Sequence, residues 1–196
     1  MFTWTNKARL AALSVILAGC QIEPGALALP GQTRAMSVIG GAMTVAAPSG
    51  YCIDKPSTRQ QNDGAVVLIG RCNGRSGLPP AVISVAMGSA GSAGVLADGT
   101  EGLAQFFGSS AGRAALSRTG NADAVRILQA ASLDGAFALR IAEDGVGDYW
   151  RAVLGASGRL VTISVQGPEG AALDAASGQR LLGAAIVAMR RANPSA

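Results

Sequence analysis

The sequence predicts a single α+β domain: a mainly antiparallel sheet with a C-terminal helix packed on it and one or two short helices between strands. Three observations predict it. β-branched apolar runs at 65–72 and 81–87 are bounded by glycine and proline, as strands are. Four further strand-like runs lie near 125–132, 136–143, 148–155 and 159–166. They are separated by Asp134-Gly135, Asp144-Gly145-Val146-Gly147 and Gly155-Ala156-Ser157-Gly158, which are hairpin turn signals. Finally, Leu181, Leu182, Ala185, Ile186 and Met189 share a stripe at helical spacing. A run of strands followed by a long helix makes a layered α+β domain.

The elements follow in order. Residues 21–37, with Pro24, Gly25, Pro30 and Gly31 and little periodicity, read as a tether. A first strand is expected at Ala42–Ala47, stopped by Pro48-Ser49-Gly50, with a short extension at Tyr51–Ile53. The strands 65–72 and 81–87 are apolar almost throughout, which suggests burial on both faces. Residues 88–99, rich in glycine, serine and alanine, read as a loop. Thr100–Phe107 reads as a short helix capped by Thr100 or Asp98, with Leu103, Phe106 and Phe107 inward, and Gly112–Leu116 as a second turn of helix. The last helix is expected at about 174–191, where Arg190 and Arg191 complement the negative end of its dipole.

Composition excludes several classes of chemistry. The 196-residue chain contains no histidine, so no Ser-His-Asp or Cys-His arrangement and no histidine-bearing zinc site can form. The formal charge is +4 with basic residues scattered and aromatics at 4%. That is not the clustered basic, aromatic-bearing surface of a nucleic-acid binder. The length suits one domain, able to bury a core without a metal, and no cofactor is called for.

The first residues carry an address. Lys7 and Arg9 precede an apolar stretch from Leu10 to Ala18, with small residues before Cys20, the plan of an export signal. The run falls short of the roughly 20 apolar residues a membrane-crossing helix needs. Leu17-Ala18-Gly19-Cys20 resembles the lipobox of bacterial lipoprotein precursors. The resemblance implies a signal peptide at 1–19, cleavage before Cys20, lipid on its thiol and new amine, a lipidated tether at 20–37, and a globular domain at 38–196. Three acyl chains, palmitate among them, would hold it permanently, since two already suffice. Gln21 after the cysteine resembles the outer-membrane default, facing the periplasm, where aspartate favours the inner membrane. Loss of Lys7 and Arg9 with the signal would bring the formal charge from +4 to +2.

With Cys20 lipidated, Cys52 and Cys72 form an even pair in an oxidising compartment, which favours a disulfide. Closing such a loop contributes roughly 3 kcal/mol in the chain-entropy model. A plain hairpin of 42–53 and 65–72 around a 54–64 loop would put the two cysteines at opposite ends, so bridge and that hairpin exclude each other. Pro48-Ser49-Gly50-Tyr51 after the first strand, followed by an antiparallel sheet and terminal helix, is similar to the PsbP-like fold. That fold hosts no single activity, so this likeness implies architecture and no chemistry.

Candidate sites are few. Gly108-Ser109-Ser110-Ala111-Gly112 matches the nucleophile-elbow pattern, but a helix precedes it and no histidine exists to activate Ser110. Gly88, Gly91 and Gly94 lack both the dinucleotide fingerprint and a phosphate-loop ending. If Asp144–Gly147 is a four-residue loop, Ile141 faces Trp150, Leu139 faces Ala152, and Arg140 lies opposite Arg151 beside Thr162. The next hairpin then sets Trp150 against Ile163. Two opposed arginines break the cross-strand charge rule, so Arg140, Arg151 and Thr162 form a candidate anion site.

These features lean away from catalysis. They suggest a lipid-anchored domain, with the membrane as one partner, that binds an envelope protein or cell-wall component. Two alternatives stand. One is an envelope hydrolase using carboxylates such as Glu101, Asp123, Glu143, Asp144 or Asp148, two of which would have to converge in a cleft. The other is a carrier of a small apolar ligand, needing a cavity of roughly 300 Å³ or more between sheet and helix.

Overall fold

A computed structural model describes residues 33–75 and 77–194. The expected signal, lipobox and most of the tether lie outside the described residues. The chain forms one domain around a seven-stranded, wholly antiparallel sheet. The first two strands, β1 (Ala35–Val38) and β2 (Met43–Ala46), make a separate hairpin. The sheet contains β3 (Tyr51–Gln61), β4 (Gly64–Arg71), β5 (Val82–Met87), β6 (Val125–Leu133), β7 (Ala136–Glu143), β8 (Gly147–Ala156) and β9 (Arg159–Gln166). Their spatial order is β3-β4-β5-β9-β8-β7-β6. Helices α1 (Gly99–Gly108) and α2 (Ser110–Leu116) fall between β5 and β6, and α3 (Ala175–Ala192) ends the fold.

One face of the sheet is sealed. Val161, Ile163 and Val165 alternate along β9 and are fully buried against Leu182, Ile186 and Met189 of α3. Each such side chain contributes about 1.5–3 kcal/mol on burial. Asp174 caps α3 by accepting from the Ser177 amide at 2.8 Å. The Trp150 indole donates to Ala175 O at 2.9 Å, pinning the first turn of α3 to β8. Asn193, just past the last turn, bonds to both backbone groups of Thr44 and so ties the β1–β2 hairpin to α3.

The other face is covered over β6–β8 and the start of β9. There Phe107 of α1 stacks on Phe137, and Leu116 of α2 joins Leu139, Ile141, Tyr149 and Val153. Beyond α2 this face of β4 and β5 is left more open, with Val66 41% exposed, while the 92–96 segment packs over the start of β9 through Leu96. Strands β4 and β5 therefore alternate buried and half-buried residues, and the expectation of burial on both faces is corrected.

Four further expectations change. Ala35–Val38 pairs with β2 and Thr33 bridges Ile53, so the folded part includes residues 33–37, ahead of the expected boundary at 38. Residues 54–61, read as loop, continue strand β3. Lys55 and Pro56 hide it, but an edge strand tolerates proline at a bulge, and the β3–β4 register shifts between Asp54 and Arg59. The disulfide forms between Cys52 and Cys72, with Cα atoms 5.0 Å apart. It coexists with a hairpin after all, because the turn lies at Asn62-Asp63 and Cys52 pairs with Gly70 at the open end. Finally, residues 92–96 of the supposed loop form a 3-10 turn strapped across the β8–β9 connection, where the Leu160 amide donates to Ser92 Oγ at 2.9 Å.

Candidate functional site

The register of the β7–β8 hairpin decides which side chains meet. The connection is one residue shorter than the four expected: Glu143 pairs with Gly147, and Gly145 and Gly147 take φ of +74° and +94°. A slip of one residue sends every side chain to the opposite face. Arg140 thus lies opposite Trp150, and Arg151 opposite Leu139. The next hairpin turns through Ser157-Gly158, both at positive φ, and sets Trp150 against Val165 rather than Ile163. That shift is of two residues and leaves the faces unchanged.

The triad of Arg140, Arg151 and Thr162 is therefore not assembled. Arg140 projects on the α3 side, where Nη2 binds Asp148 Oδ2 at 2.8 Å. Arg151 lies on the half-covered face, and Thr162, opposite Val153, shares that face. The residue directly across from Arg151 is Ser164.

What the fold gathers around Arg151 is a different set. Helix α2 stops at Leu116, and the step from its end down to the uncovered sheet leaves a recess of about 340 Å³. Its lining is Leu68, Val82 and Ser84 on the floor with Arg118, Tyr149, Arg151, Ser164 and Gln166 around them. The Arg151 guanidinium is fixed from three sides. Nε donates to Ser164 Oγ at 3.0 Å, Nη1 donates to Leu116 O at 3.2 Å, and the group lies 5.2 Å from the Tyr149 ring centroid. Arg118, in the turn after α2, donates from Nη2 to Gln166 Oε1 at 2.7 Å.

Beneath the recess lies a buried carboxylate. Glu143 is 5% exposed; its Oε1 accepts from the Arg118 amide at 2.6 Å and its Oε2 from the Tyr149 hydroxyl at 3.1 Å. Burial pushes the Tyr149 hydroxyl up to about 12, Arg151 opposing and Glu143 adding to the shift. A second, larger cleft of about 680 Å³ adjoins, lined by the 145–148 turn and the 166–173 segment, and shares Arg118 and Gln166 with the recess.

The other acidic residues lie apart. Glu101 and Asp123 are exposed on α1 and on the turn before β6. Asp144 and Asp148 are exposed at the β7–β8 turn, with Asp148 on the face opposite Glu143. Among the described residues no group of three or more acidic or cysteine side chains could hold a metal. Ser110 opens α2, whose cap is Ser109, accepting from the Gly112 amide at 3.1 Å. Gly112 is needed for close approach: a Cβ there would fall 2.0 Å from Phe106 O. The elbow-like motif is thus the α1–α2 joint. Gly91 begins the 3-10 strap in the left-handed region.

Sequence reasoning missed Arg118, Tyr149, Ser164 and Gln166. Arg118 and Gln166 carry no periodic signal. Tyr149 and Ser164 were legible through one number, the length of the Asp144–Val146 connection, which sets the face of everything on β8. No family model, curated protein or solved structure matches this chain.

Proposed function

We propose that the chain is the precursor of a bacterial lipoprotein, cut before Cys20 and lipidated there, whose domain faces the periplasm from the outer membrane and binds a protein partner or envelope component. The observation that carries the reading is Leu17-Ala18-Gly19-Cys20 behind Lys7 and Arg9. The Cys52–Cys72 bond supports it, because it engages both remaining cysteines as an oxidising compartment favours. With the fold beginning near Thr33, the segment after Cys20 reaches roughly 45 Å at most. The domain therefore works close to the bilayer.

A binding role is supported by the half-covered sheet face and the polar recess at its step. Catalysis by paired carboxylates draws no such support: Glu143 is sealed, and the other four named acids are exposed and dispersed. The carrier reading gains little, since the gap between sheet and the start of α3 holds about 10 Å³.

The test is labelling with radioactive palmitate in cells expressing the full chain. Label on the wild type, its loss in Cys20→Ser, and release of that variant from the membrane fraction are expected. Membrane retention of unlabelled Cys20→Ser would overturn the anchor. Crosslinking of the anchored form to a stoichiometric envelope component tests the binding role.

A further inference from the structure

Among the described residues most arginines make no ion pair, but two of the unpaired ones, Arg118 and Arg151, line one recess. Arg140 is paired with Asp148, and Arg159 with Asp63. Arg118 and Arg151, which line the same recess, make no salt bridge. Their side chains are held by neutral acceptors: Ser164 Oγ and Leu116 O for Arg151, and Gln166 Oε1 for Arg118. The nearby carboxylate, Glu143, accepts instead from a backbone amide and the Tyr149 hydroxyl. Two guanidinium charges thus converge over one buried carboxylate, which leaves the recess with an excess of positive charge.

The arrangement is preorganised. A guanidinium carries five N–H donors in a planar fork; Arg151 spends one at Nε and one at Nη1 on fixing its own plane. The remaining donors can pair with two oxygens of one ligand, the bidentate geometry that arginine offers to carboxylate and phosphate. The Tyr149 ring on one side and the Ser164 strand on the other restrict Arg151, so little side-chain freedom remains to be lost on binding. Arg118 is exposed at the rim and free to swing from Gln166 onto an anion. Floor residues Leu68 and Val82 are apolar and half-buried, matching the stem that carries such a group.

We infer that the recess between Arg118 and Arg151 is an oxyanion-binding site, taking a carboxylate or phosphate group of the component that the domain binds. Arg151 is the fixed fork and Arg118 the mobile second cation. Ser164 and Gln166 orient the two arginines, and Tyr149 closes the side next to α2. This inference rests on the proposed binding role, and it replaces Arg140 and Thr162 of the sequence-derived site with Arg118 and Ser164.

The test uses the mature lipidated protein in non-ionic detergent, titrated with inorganic phosphate and with acetate at constant ionic strength by calorimetry. Saturable binding of at least one anion in the millimolar range or tighter is expected. Arg118→Gln and Arg151→Gln should each weaken it about tenfold or more, while Arg126→Gln, on exposed β6, leaves it unchanged. Arg118→Gln, at the exposed rim, keeps the test sound should Arg151→Gln misfold. Absence of saturable binding of both anions, or binding indifferent to Arg118→Gln, overturns the site. Undiminished crosslinking of the two variants to an envelope component would also overturn it while leaving the binding role standing, whereas no crosslinking by the wild type speaks against that role itself.

Discussion

The Tyr149 hydroxyl donates to Glu143 Oε2 at 3.1 Å across the β7–β8 hairpin, beneath the end of α2. Six residues apart in sequence, the two belong to the strands of one hairpin, and the three-residue connection puts them on the same face. A carboxylate 5% exposed is thereby satisfied without any cationic side chain. Its other oxygen takes the Arg118 amide at 2.6 Å, so the pair also fixes the backbone of the turn that carries Arg118.

Stability should consequently fall at high pH through Tyr149. Burial raises its hydroxyl from 10.0 to about 12. Between those values the unfolded chain has lost the proton while the folded one retains it, so unfolding releases a proton and becomes easier as pH rises. The stability is fully present below pH 10 and is lost as pH climbs toward 12. Tyr51, raised by burial with Arg71 opposing, acts in the same direction. Urea midpoints measured across this window should decline in the wild type and decline less steeply in Tyr149→Phe. The variant should also be about 1.5–3 kcal/mol less stable at neutral pH, from the lost bond to a charged acceptor. An equal slope in both proteins would refute the assignment.

Two glycines of α3 should respond oppositely to alanine. Each change gains about 1 kcal/mol of helix propensity. At Gly178 the new Cβ would lie 2.7 Å from Trp150 Cδ1, a ring fixed by its bond to Ala175 O. Overpacking there costs about 1–3 kcal/mol, so Gly178→Ala is expected to be net destabilising. At Gly183 the obstacle is Asp134 Oδ2 at 2.9 Å, the end of a side chain that can turn away. Gly183→Ala should be neutral or stabilising by up to about 1 kcal/mol. Thermal unfolding of both variants decides, and the same sign for the two would contradict it.

Reduction of the Cys52–Cys72 bond should cost about 3 kcal/mol, the loop-closure value for a separation of 20 residues. The folded form should survive, because the β3–β4 ladder from Tyr51–Arg71 to Gln61–Gly64 already holds the two ends together. The effect belongs to the unfolded chain. A Cys52→Ala/Cys72→Ala double variant should therefore show a lowered urea midpoint with an unchanged circular dichroism spectrum; collapse of the spectrum would show that the bond holds the native sheet.

The parts of this fold that were legible in the sequence share a local cause. Strands β4, β5, β7 and β9 and helix α3 announce themselves through their own composition and periodicity. What stayed hidden depends on partners distant in sequence or on a turn length. Ala35–Val38 is a strand because β2 is beside it. Lys55 and Pro56 extend β3 because an edge accepts them. The candidate site failed in the sequence for a single residue of register: with the β7–β8 connection counted as three, Arg151 moves to the face of Leu139 and Ile141 and away from Arg140. Arg118 was beyond reach on any count, since only the folded end of α2 brings it to β9.

Asn193 offers a sharp test of how the β1–β2 hairpin is held. Its Oδ1 accepts from the Thr44 amide at 2.9 Å, while Nδ2 donates to Thr44 O at 2.7 Å and to Met189 O at 2.8 Å. The side chain is 9% exposed, so water does not readily replace these bonds. Asn193→Ala leaves the backbone groups of Thr44 poorly satisfied and should cost about 2–3 kcal/mol, with faster hydrogen exchange at the Thr44 amide. Asn193→Asp keeps the acceptor for that amide but turns a second oxygen toward two carbonyls. An ionised carboxylate in that position is repelled by both, so the variant should be at least as unstable as alanine at neutral pH. As pH falls, the carboxyl gains a proton it can donate, and stability should recover toward that of the wild type. An Asp variant that weakens steadily on acidification, like alanine, would show that Nδ2 contributes nothing to the clamp.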